Sequence, residues 1–141
     1  MAGHALARHL ALAGIGAAAL VLGSACGEDD RPASFEYIHT TIIEPSCTTS
    51  SCHTSAVGQA GVRLHSVEAA YSILVGRPCD GNHPPGEAPR NYVDPGHPER
   101  SRLMYLLTGV EVPRAMPPDR PLPEADIALI ERWILEGARC N

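Results

Sequence analysis

Lysine is missing from this 141-residue chain: all eleven basic side chains are arginine, against sixteen acidic ones, for a formal net charge of -5. The arginines form no basic patch, which argues against nucleic acid as a partner. Lack of lysine beside abundant Ala, Gly and Pro reads as the mark of a GC-rich genome. Aromatic residues are also scarce, with one Phe, one Trp and four Tyr, so side chains alone give a core little aromatic bulk. No glycine-rich phosphate loop is present, and no alternating strand pattern competes with the helical periodicities below. The longest uncharged apolar run, 10–22, falls short of the roughly 18 residues a membrane-spanning helix needs.

That run has a different meaning. Arg8 and the amino terminus precede it, and Gly23-Ser24-Ala25-Cys26 and the acidic Glu28, Asp29 and Asp30 follow. The order is that of an export signal, here residues 1–25. A cysteine closing a run of small residues resembles the lipobox of bacterial lipoproteins, with Leu22 one place further back than that pattern prefers. The resemblance implies that Cys26 receives the lipid, becomes the first residue and anchors the chain in the cell envelope, facing the periplasm or the cell surface. Cleavage elsewhere, giving a soluble periplasmic protein, is the alternative. Residues 26–33 then read as an acidic tether, and 34–141 as one domain.

Cysteine usage carries the chemistry. In Cys47-Thr-Thr-Ser-Ser-Cys52-His53 a histidine directly follows the second of two close cysteines, the order that covalent haem attachment needs. Each thiol adds to one vinyl group, and the adjacent imidazole becomes an axial ligand of the iron. Two residues usually separate such cysteines; with four, the intervening chain must bulge outward, and Thr48, Thr49, Ser50 and Ser51 are small and polar enough to do so. A Cys47–Cys52 disulfide with His53 on the surface is the bland reading. Zinc fits less well, because Cys79 and Cys140 form no second close pair. Those two cysteines pair with each other or stay as thiols; in an exported chain a disulfide tying a long loop to the chain end is the expectation.

Helical periodicity places these residues. Phe35, Tyr37, Ile38 and Ile42 predict a first helix over 34–44, capped by Ser34 and stopped by Pro45. Ser66 opens a second through Val75, closed by Gly76 and Pro78. Prolines and glycines make 77–97 a loop. A third helix is expected over 98–108 with Leu103, Leu106 and Leu107 inward and Arg100 and Arg102 outward. The last starts near Pro123, with Glu124 and Asp126 at the positive end of its dipole and Ile127, Ile130, Trp133, Ile134 and Gly137 on one face. Between the last two helices, Met116 stands in Arg114-Ala115-Met116-Pro117-Pro118-Asp119. A thioether between rigid prolines is poorly used as core filler but well used as a soft iron ligand. Met104 reads as packing. His65, His83 and His97 are rival ligands with an ordinary surface role as the alternative.

Several segments together resemble the planctomycete-type cytochrome c domain, also common in lipoproteins of related soil and predatory bacteria. They are the first helix, the cysteine/histidine run, Gly61-Val62-Arg63-Leu64, Tyr92-Val93-Asp94-Pro95-Gly96, Ser101 to Tyr105, Met116-Pro117-Pro118, Pro121-Leu122 and Ile130 to Ala138. The resemblance covers about 34–141. It implies an all-α cytochrome c-like domain of about four helices with long Pro/Gly-rich loops, the first and last helices packed across each other. By motif, Cys47 and Cys52 would hold haem c, with His53 proximal and Met116 distal. The longer cysteine spacing departs from the family pattern. The expected function is one-electron transfer to a redox protein partner, without a small-molecule substrate. A haem-free structural or binding lipoprotein is the alternative, and a peroxidase is disfavoured while Met116 fills the sixth position.

Overall fold

The computed structural model describes residues 29–79 and 92–141. The expected export signal, Cys26, His83 and the middle of the 77–97 loop lie outside them. Among the described residues the chain is all-α, with four helices and no strand.

Helix α1 runs over 35–47 in three registers: α at Phe35–Ile38, π at His39–Ile43 and α again at Glu44–Cys47. Ser34 caps it, its Oγ accepting the Tyr37 N–H at 3.4 Å. The expected stop at Pro45 does not occur, and the helix continues three residues past 44. The Glu44 N–H bonds to the His39 carbonyl, five residues back, and this wider turn accommodates a proline that lacks a donor and crowds the preceding turn. Cys47 therefore sits on the last turn of a helix instead of in the loop after it.

Helix α2, Val67–Val75, opens as expected on Ser66, whose Oγ accepts the Ala69 N–H at 3.2 Å. It closes on Gly76, whose φ of 83° is left-handed and suits a residue without a side chain. The expected 98–108 helix is divided into a short turn, Pro98–Arg100, and helix α3, Arg102–Thr108. The break falls at Ser101, which is fully buried with extended backbone; its Oγ accepts the Asp94 N–H and donates to the His97 carbonyl, both at 2.9 Å. Those bonds tie the preceding loop to the start of α3. Leu107 is buried, Leu103 and Leu106 half-buried, and Arg100 and Arg102 exposed. Helix α4, Glu124–Leu135, follows Pro123 and buries Leu129, Ile130, Trp133 and Ile134. Leu129 was outside the expected stripe, and Ile127 within it is only half-buried.

The core gathers around Phe35, whose ring centroid lies 5.2 Å from Tyr71 and 5.0 Å from Trp133. Helices α1, α2 and α4 thus meet at one aromatic cluster, and each such side chain withdrawn from water contributes roughly 1.5–3 kcal/mol. The polar tips are satisfied by the tail after α4: Tyr71 Oη donates to the Ala138 carbonyl at 2.9 Å and Trp133 Nε1 to the Arg139 carbonyl at 2.8 Å. The tail also accepts the Glu36 N–H through the Asn141 carbonyl at 3.1 Å. Cys140 and Cys79 form a disulfide, with Cα atoms 5.4 Å apart.

The segment read as a tether differs from that expectation in its described part. Arg31 pairs with Asp29 at 2.8 Å and with Asp126 at 2.6 Å. It also donates to the Ala125 carbonyl at 2.8 Å, while Arg132 donates to the carbonyls of Asp29 and Arg31. Two acids and two arginines neutralise one another, so residues 29–33 are laid against α4. Among the described residues, no helix is long and apolar enough to cross a membrane.

Candidate functional site

Cys47 and Cys52 are both thiols. A hydrogen bond from the His53 N–H to the Cys47 carbonyl, 3.0 Å, closes the chain between them. The Cys52 N–H bonds to the Thr49 carbonyl at 2.9 Å, and Thr49 Oγ1 donates to Cys52 Sγ at 3.1 Å. Thr49, Ser50 and Ser51 are consequently turned out to solvent. Four intervening residues form a small outward bulge while the cysteines stay at its base.

His53 is held on three sides. Its N–H is bound to Cys47, its carbonyl accepts the Leu64 N–H at 2.8 Å, and its Nδ1 bonds to the Val62 carbonyl at 3.1 Å. A carbonyl only accepts, so Nδ1 carries a hydrogen, and in the uncharged form of the ring the lone pair is then on Nε2. This is the tautomer that a metal-binding imidazole uses when its second nitrogen is oriented by a backbone carbonyl.

Burial, reinforced by neighbouring Cys52, pushes the Cys47 thiol up to about 11. The charged thiolate is disfavoured there because the sulfur faces apolar groups. Cys47 contributes to the lining of a cavity of about 40 Å³ whose other walls are Ile38, Ile42, Ile43, Leu64, Leu74, Leu103, Leu107, Leu122, Ile130 and Trp133. Every helix contributes to this space, and apart from the sulfur its lining is hydrocarbon and indole.

The remaining expected residues stand apart from it. Cys52, His53 and Met116 do not line the cavity. Met116 is half-buried, and its N–H donates to the Leu106 carbonyl at 2.7 Å, which fastens the Pro-rich loop to α3. His65 and His97 are exposed, and His97 Nδ1 faces Glu99 at 3.2 Å. Among the described residues no three His, Cys, Asp or Glu side chains cluster around a metal position.

One histidine escaped the sequence reading. His39 is only 3 % exposed, and its Nε2 donates to the Leu64 carbonyl at 2.9 Å. The signal was there: 35, 38, 39 and 42 complete an i, i+3, i+4, i+7 stripe, so position 39 belongs to the inward face of α1. Its polarity hid it among the apolar members.

No family model, no curated protein and no solved structure matches this chain.

Proposed function

We propose that this chain is a mono-haem c-type cytochrome, lipid-anchored at Cys26 on the periplasmic side of a bacterial envelope, that passes single electrons to a redox protein partner. The observation that carries this reading is His53: the Nδ1–H bond to the Val62 carbonyl leaves Nε2 free as a donor, directly beside two cysteines that are thiols. The donor set fits haem c. Cys47 and Cys52 would each add S–H across a vinyl group, forming one C–S and one C–H bond with no net oxidation. His53 would supply the proximal nitrogen and Met116 the distal sulfur. The bound haem would supply a reversible one-electron Fe(III)/Fe(II) couple. The apolar walls around Cys47 would exclude water and, with a thioether as sixth donor, favour the reduced form.

Volume bears on the alternative. A cavity of about 40 Å³ has room for about three waters, at the ~10–15 Å³ each requires, and not for a porphyrin. A second reading follows from the same apolar core and from two free thiols five positions apart: a haem-free structural or binding lipoprotein in which a thiol–disulfide oxidant of the export compartment takes two electrons and two protons from Cys47 and Cys52 to close a disulfide.

The deciding experiment is export of the chain in a host that matures c-type cytochromes, followed by a pyridine haemochrome spectrum of the denatured protein. Haem that remains with the chain supports electron transfer. A folded, colourless product beside a properly matured control cytochrome rejects it in favour of the disulfide-closed module.

A further inference from the structure

His39 has no part in the ligand set above, yet it is the buried ring nearest to it in the hydrogen-bond network. An imidazole withdrawn from water is costly unless its nitrogens are bonded, and here Nε2–H donates to the Leu64 carbonyl at 2.9 Å. Leu64 is also the residue whose N–H binds the His53 carbonyl at 2.8 Å. Two residues earlier on the same strap, the Val62 carbonyl receives the His53 Nδ1–H at 3.1 Å. Val62 and Leu64 are buried and Arg63 is exposed, so the strap lays one side-chain face on the core, and the bonds to its backbone fix its register there. His39 grips it from α1, the helix that ends in Cys47. The π turn of that helix begins at His39 itself, where the departure from α register coincides with the side chain that reaches across.

We propose that His39 is a positioning residue for His53: by clamping the Leu64 carbonyl it fixes the Val62–Leu64 strap, which in turn holds His53 in the Nδ1–H tautomer with Nε2 free. This deepens the haem reading and rests on it. It also relates the two halves of the attachment sequence, since the His39–Leu64 bond adds a buried link between the Cys47-bearing helix and the strap that holds His53, beside the direct bond from the His53 N–H to the Cys47 carbonyl.

The test uses the full chain, haem-free, ¹⁵N-labelled and with the Cys79–Cys140 disulfide formed. Long-range ¹H–¹⁵N correlation in mildly alkaline buffer reads the tautomer of each imidazole. In the unsubstituted protein His53 is expected as a single Nδ1–H form; an Nε2–H form or a mixture overturns the proposal without any variant. His39→Phe keeps a ring but loses the donor, and should turn His53 into a mixture of tautomers, while His39→Gln, whose amide restores a donor, should return it to Nδ1–H. A folded His39→Phe chain whose His53 stays wholly Nδ1–H overturns the proposal. If His39→Phe does not fold, His39→Asn, too short to reach Leu64, takes its place in the same comparison. On the haem-loaded chain, His39→Phe should shift the midpoint potential and the ferric EPR g values, with His39→Gln moving both back; a fall in melting temperature alone, with neither shifted, also overturns it. Absence of covalent haem in the unsubstituted chain rejects the cytochrome reading and leaves the tautomer comparison intact, so the two failures are distinguishable.

Discussion

The indole of Trp133 lies 5.0 Å from the ring of Phe35, centroid to centroid, with 32° between their planes. This contact joins the last helix to the first, across nearly a hundred residues of intervening chain, and both rings are almost fully buried. Trp133→Ala removes the largest buried side chain and the donor to the Arg139 carbonyl together. A loss of about 3–5 kcal/mol is expected, read as a lowered urea midpoint. Trp133→Phe, which keeps the ring contact, should cost clearly less.

Met116→Ala tests the proposed distal ligand. In the haem-loaded protein it should abolish the weak sulfur-to-iron band at the red end of the ferric spectrum and lower the midpoint potential, because a thioether raises it. An unchanged band means that another side chain holds the sixth position.

Cys47 gives the haem-free chain a dependence on alkaline pH. Its thiol is raised from 9.0 to about 11 by burial and by Cys52. Between those values the unfolded chain loses a proton that the folded chain retains, so stability is intact below about 9 and falls as pH rises towards about 11. The loss is on the order of 3 kcal/mol, measured as the difference in denaturation midpoints between the unsubstituted chain and Cys47→Ala. Thioether formation removes the titrating group, so the haem-loaded protein should lack this component. At pH 8 only about one Cys47 in a thousand is thiolate, and iodoacetamide should label Cys52 first.

The Cys79–Cys140 bridge spans 61 residues of sequence. By the chain-entropy argument, opening a loop of that length costs about 4 kcal/mol. Reduction, or Cys79→Ser with Cys140→Ser, should lower the melting temperature and loosen the tail, seen as faster amide exchange at Ala138. The tail keeps its Tyr71 and Trp133 bonds, so helices α1 to α4 should survive the change with their circular dichroism intact.

At the other end of the chain, hydrogen bonding by Arg31 holds the Asp29 carboxyl down at about 2, against 3.8 ordinarily. A depressed carboxylate stabilises the folded arrangement above the ordinary value and ceases to do so as pH falls through the lowered one. The Arg31 Nε–H, which donates to Asp29, should therefore be protected near neutrality and lose that protection between about pH 4 and 2. Arg31→Ala should loosen residues 29–33 at every pH, leaving the Arg132 bonds to the 29 and 31 carbonyls as their remaining hold and α4 helical.

Local chemistry made much of this fold legible. Ser66 and Gly76 bound α2 because a side-chain acceptor and a left-handed residue are local requirements, and the acidic first turn of α4 is equally local. What escaped depended on partners far along the chain. Pro45 reads as a stop until the π turn before it widens the helix. Ser101 breaks a continuous helical pattern because its hydroxyl serves the Asp94 and His97 backbone. Asp29 and Arg31 read as solvated tether because their matching charges, Asp126 and Arg132, lie about a hundred residues away. In the site, the small polar residues between the cysteines did announce a bulge, whereas the role of His39 needed Leu64 to be seen beside it.

The docking of residues 29–33 has a consequence for reach. With Cys26 acylated, three residues separate the lipid from Asp29, and at ~3.5 Å each they span roughly 10 Å at full stretch. If the proposed cytochrome reading holds, a carrier on so short a leash would not shuttle across the periplasm or search its depth. Its electron exchange would be confined to proteins seated in, or lying on, the same leaflet, and encounter would depend on sideways drift within a two-dimensional sheet.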